Sequence, residues 1–116
     1  DEDGTLVDLA VQAGYGGIVI DATGGGHVPS AMVSALERAV QKIPVVFASR
    51  TRHGETMQNT YDFPGAETDL LARGLIGGGW LGGIRARVLL TLLLRAGAGR
   101  DEIAQIFDNW RYPFGR

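Results

Sequence analysis

Cysteine is absent from this 116-residue chain, so neither a disulfide framework nor a thiolate metal site is available to it. Histidine is nearly absent too: His27 and His53 are the only two. Without cysteine and without clustered carboxylates, no metal site is expected. An excess of either charge is also missing. Eleven basic residues stand against thirteen acidic ones, a net charge of −2, which gives no electrostatic reason to bind nucleic acid or an anionic membrane. Long hydrophobic runs are lacking. The longest, from Val88 to Leu94, is broken by Thr91 and falls far short of the roughly 20 residues that span a bilayer. No secretory leader pattern is present. The expectation is a cytoplasmic, soluble α/β domain that needs no cofactor.

What is present in quantity is glycine, 18 residues, beside a hydrophobic fraction of 45%. That is enough apolar material for one core, and residues 1–116 read as a single domain with a tail at 111–116. The most informative stretch is Gly17-Ile18-Val19-Ile20-Asp21-Ala22-Thr23-Gly24-Gly25-Gly26-His27-Val28-Pro29. Its uninterrupted β-branched run predicts a strand covered on both faces. Three glycines then allow positive φ and close approach, and Pro29 suits the first turn of a helix. Ligands of open α/β sheets gather beyond the carboxyl ends of strands, which puts Asp21 and His27 where chemistry is usually found.

The remaining pattern alternates helix and strand. Leu6, Val7, Ala10, Val11 and Ala13 have helical spacing, with Asp3 or Thr5 as the expected cap and Gly14 as the stop. Residues 30–42 predict a helix with Met32, Val33, Leu36, Ala39 and Val40 inward and Glu37, Arg38, Gln41 and Lys42 outward. Pro44 ends it, and Val45-Val46-Phe47-Ala48-Ser49 reads as a second buried strand. Residues 50–65 form a long polar loop, of a length usually reserved for function. A short helix over 66–73, a brief strand at 75–77, an apolar helix over 81–96 and a closing helix bearing Ile103, Ile106, Phe107 and Trp110 complete the chain. Such alternation argues for a parallel sheet flanked by helices, a small three-layer α/β domain. Two firm strands and one weak one make a thin sheet, so a first strand is expected to lie outside this sequence.

Individual motifs are weaker. Asp1-Glu2-Asp3-Gly4-Thr5 superficially matches the D-x-D-G-T signature of haloacid dehalogenase phosphatases, but the sequence lacks the later Asp-Asp pair that would hold magnesium. Residues 24–27 could cradle an anion at a helix N-terminus, or form a simple strand-to-helix turn; they fit neither a Walker loop nor G-x-G-x-x-G. Ser49 lacks a nucleophile elbow. The glycines around Trp80 suggest close loop packing, and the leucines at 89–94 suggest core, alone or with a subunit contact.

Taken together, the segments resemble the smaller, C-terminal domain of the L-asparaginase (asparaginase/glutaminase) family. The strand–loop–helix at 17–29 is joined by Pro44-Val45-Val46-Phe47-Ala48-Ser49-Arg50, Asp69-Leu70-Leu71-Ala72-Arg73-Gly74, Ala86-Arg87-Val88-Leu89-Leu90 and Ile103-Ala104-Gln105-Ile106-Phe107. All five stand in the family's order and approximate spacing. The resemblance implies a flavodoxin-like or Rossmann-like domain of an amidohydrolase that converts asparagine to aspartate and ammonia. In that family the threonine nucleophile, a Thr-Asp pair and a lysine belong to a larger N-terminal domain. None of those motifs occurs here, so no catalytic residue is assigned and the chain alone is expected to be inactive. The resemblance further implies an intimate homodimer in which this domain lends loop residues, Gly26, His27 and Tyr61, to a partner subunit's substrate site. Tyr61 falls near the position where periplasmic members carry a substrate-contacting glutamate, a departure that argues against a periplasmic-type contact. The asparaginase-like subunit of the archaeal glutamyl-tRNA(Gln) amidotransferase shares this domain and is an alternative, as is a free-standing small-molecule binding module.

Overall fold

In the computed structural model, residues 4–22, 28–49, 67–78 and 81–109 are described. Helix α1 (Thr5–Gln12) leads into strand β1 (Ile18–Ala22). A 3-10 turn (Ser30–Met32) opens helix α2 (Val33–Val40), which returns to strand β2 (Val45–Ser49). Helix α3 (Glu67–Ala72), the two-residue strand β3 (Ile76–Gly77), and helices α4 (Gly83–Arg95) and α5 (Arg100–Asn109) follow. The sheet is parallel in the order β1-β2-β3. Its β1–β2 register runs from Ile18 opposite Val45 to Ala22 opposite Ser49.

Strand alternation divides the core in two. Val45 and Phe47 point to one face, where Val7 of α1, Leu36 and Val40 of α2, and Leu70 of α3 close over them. Val46 and Ala48 point to the other, against Ala86 and Leu90 of α4 and Ile103 and Phe107 of α5. Strand β2 is apolar along its length because both its faces are buried. Strands laid down in the order β1, β2, β3 keep their connecting helices on one face when each crossover has the same hand. The chain then passes to the second face, where α4 packs on β1 and β2, and α5 on β3. The three-layer α/β architecture read from the sequence is therefore the one observed.

Local chemistry explains the element ends. Gly4 precedes α1 with φ 87°, a left-handed conformation that glycine adopts without the penalty a Cβ brings. The N-cap position is taken by Gly4 and Thr5 is already helical, so Thr5 is not the cap; Asp3, the other expected cap, lies outside the described residues. Gly14, with φ 90°, ends that turn as expected. Pro29 stands one step before the 3-10 turn rather than inside an α-helix, and Met32 N–H donates to its carbonyl at 2.9 Å. The inward set of α2 is buried as anticipated, with Ala35 added to it. By contrast Leu6, placed by spacing among the apolar face of α1, faces solvent, as does Leu9.

Candidate functional site

The carboxyl ends of β1, β2 and β3 share one edge of the sheet because the strands are parallel. Asp21 marks that edge on β1, exposed and opposite Ala48. Gly78 marks it beyond β3, where its N–H donates to the Phe47 carbonyl at 2.8 Å. A Cβ at Gly78 would stand 3.1 Å from that same oxygen, so the close packing expected of this glycine-rich segment is observed at that point. The N-terminus of α4 reaches the same edge. Asp21's carboxylate lies against Gly83, the first residue of the helix.

The residues read from the sequence as the substrate loop, Gly26, His27 and Tyr61, lie outside the described residues, as do His53, Asp1, Asp3 and Trp80. The structure thus describes the flanks of the glycine loop, Asp21 before it and buried Val28 after it. Among the described residues no cluster of three or more metal-ligating side chains is formed. No helix there is long and apolar enough to cross a membrane.

Beside this edge, β1 carries a second feature. Its side away from β2 has no strand partner among the described residues. A groove of about 420 Å³ runs along it, bounded by Ala10 and Tyr15 on one flank and by Arg87, Leu90 and Leu94 on the other. Helix α4 turns a row of apolar side chains outward, Ile84, Val88 and Leu92, four residues apart and each more than half exposed. This row was not separable by spacing from the buried Leu90, since Leu89, Leu90, Leu92, Leu93 and Leu94 spread over several faces of α4.

A family model described as the glutaminase/asparaginase C-terminal domain matches residues 1–107. The chain belongs to this family. An L-asparaginase of Bacillus licheniformis is 36% identical over 95 residues, 81% of this chain and 29% of that protein. A probable L-asparaginase of Deinococcus radiodurans is 35% identical over 93 residues, 80% of this chain and 28% of that protein. A glutamyl-tRNA(Gln) amidotransferase subunit from Methanosphaera stadtmanae is 32% identical over 104 residues, 89% of this chain and 22% of that protein. The chain therefore spans less than a third of the length of the curated relatives it matches. In asparaginase-family terms, the domain described above is the C-terminal one.

Two ion pairs among the described residues link helices away from the carboxyl edge. Arg38 of α2 donates from Nη2 to Asp8 Oδ2 of α1 at 2.8 Å and from Nε to Oδ1 at 3.3 Å. That hydrogen bond holds the Asp8 carboxyl below its ordinary range and the Arg38 guanidinium above its own. Arg73 and Glu37 make a second pair at 3.1 Å, joining the end of α3 to α2.

Proposed function

We propose that this chain is the C-terminal domain of an asparaginase-type amidohydrolase, converting L-asparagine to aspartate and ammonia only together with an N-terminal domain that carries the nucleophile. Carrying the reading is the family membership over residues 1–107 combined with the share of each relative left unmatched. In this reading the 116 residues form one domain with 111–116 as tail, and Gly26, His27 and Tyr61 reach a substrate site in a partner subunit of a homodimer. The open β1 side is consistent with a further strand from outside this sequence, and the exposed row on α4 with an apolar partner surface.

Mixing the chain with a separately produced N-terminal domain from the same source and measuring ammonia release tests the proposal. Activity is expected in the mixture and absent from the chain alone. His27→Ala is expected to lower kcat/KM about tenfold, the scale of one substrate hydrogen bond. Hydrolysis of asparagine by the chain alone would refute the non-catalytic assignment. The similarity to the amidotransferase protein over 89% of the chain supports a second reading, ammonia supply for tRNA-dependent glutamine synthesis. Dependence of ammonia release on an amidotransferase partner and charged tRNA would favour it over free asparagine hydrolysis.

A further inference from the structure

Helix α4 begins without any of the usual provisions. Its N-cap is Gly82, which has no side chain to accept from the first N–H groups, and no acidic residue occupies the first turn. Arg85 stands there instead, exposed, adding positive charge where the helix already presents the positive end of its dipole. A carboxylate from another element of the fold lies against this helix end. A Cβ built on Gly83 would lie 2.8 Å from both Cγ and Oδ2 of Asp21 and closer still to Oδ1. The carboxylate thus occupies the space that a side chain at the first helical position would take.

We propose that Asp21 is the positioning residue of α4: its carboxylate, projecting from the end of β1, neutralises the helix N-terminus in place of a cap on the helix itself. Gly83 is the counterpart that makes room for it. The contact fastens two segments that approach the same carboxyl edge, the exit of β1 and the entry of α4. It also leaves that helix end occupied by the protein's own carboxylate. The further consequence, that Asp21 sets where the substrate loop leaves the sheet, rests on the amidohydrolase reading.

A double-mutant cycle on the chain tests the contact. Gly83→Ala displaces the carboxylate and is expected to lower the folding equilibrium constant severalfold in the presence of Asp21. In an Asp21→Ala background the same change is expected to be neutral or favourable, because alanine is the better helix former. Asp21→Asn keeps the shape and removes the charge, and an approximately threefold loss in folding constant is expected at low ionic strength, shrinking in about 1 M salt. Arg85→Glu in the Asp21→Asn background is expected to restore the loss by putting the acid on the helix itself. Equal effects of Gly83→Ala in both backgrounds, or a salt-independent loss with no rescue by Arg85→Glu, would overturn the proposal. Ammonia release by the assembled protein separates the two readings: a higher KM for asparagine with Asp21→Asn supports the loop consequence. An intact cycle with unchanged KM would remove that consequence and leave the anchor standing.

Discussion

Two leucines on amphipathic helices make opposite predictions for the same substitution. Leu36 of α2 is 0% exposed beneath β2, whereas Leu92 of α4 is 59% exposed. Truncating Leu36 to alanine removes about three methylene equivalents at about 0.8 kcal/mol each. A residual cavity of about 50 Å³, at about 24 cal/mol per Å³, adds roughly 1 kcal/mol. The expected loss is therefore about 3 to 4 kcal/mol, a large share of the roughly 6 to 17 kcal/mol typical of a domain this size. In urea titrations the midpoint should fall with the slope unchanged, and Tm should drop by more than about 10 °C. Leu92→Ala should stay within about 0.5 kcal/mol of the parent at low concentration. A comparable loss at Leu92 would refute the description of α4's outer row as solvent-facing. Wild-type stability that rises with protein concentration would identify the cover as a second copy.

Gly4→Ala puts a Cβ at φ 87° and against the buried Cβ of Ala35; a loss of about 2 kcal/mol is expected by thermal or urea unfolding. Asp8 gives a pH dependence of fixed sign. Its folded pKa is lowered by Arg38, so its contribution is complete above the unfolded value of about 3.9 and disappears as pH falls through the folded one. The stability difference between the parent and Asp8→Asn should be flat from about pH 6 upward and shrink in acid below about pH 4. Added salt should reduce that difference at neutral pH, since both partners are exposed.

Much of the fold was legible because its decisive signals are local. Strand β2 has the same bounds in sequence and structure, set by Pro44 before it and by five consecutive residues of which the first four are fully buried. The inward face of α2 was legible for the same reason: its polar and apolar residues segregate cleanly. Helices α1 and α4 were harder. Leu6 and Leu9 carry the same chemical label as Val7, yet only Val7 turns toward α2. In α4 a nearly continuous apolar sequence hides the difference between Leu90, packed on the sheet, and Leu92, facing out. The site was legible as a location and less so as a set of contacts. Asp21 could be placed at the carboxyl edge from strand direction alone. Its meeting with Gly83 joins elements far apart in the chain, and the only sequence hint was a helix entry of two glycines and an arginine with no acid.

These surfaces are not spread evenly over the domain. At the other edge of the sheet β3 is only two residues long, and one of its faces packs against α5, with Ile103 and Phe107 fully buried. On the β1 side, α1 and α4 flank a strand whose outer edge has no partner among the described residues, and both helices carry exposed leucines. An unpaired β edge bordered by apolar side chains is a surface that soluble proteins normally cover. A further strand from outside this sequence laid there would bury backbone and side chains together, which is why the assembled protein is expected to be covered on this side. Hydrogen exchange offers the direct reading. On assembly, amides of Ile18–Ala22 that do not bond to β2 should gain protection, while those of α5 should not change. Protection appearing on α5 with none on β1 would place the partner on the opposite side and refute the argument from the open edge.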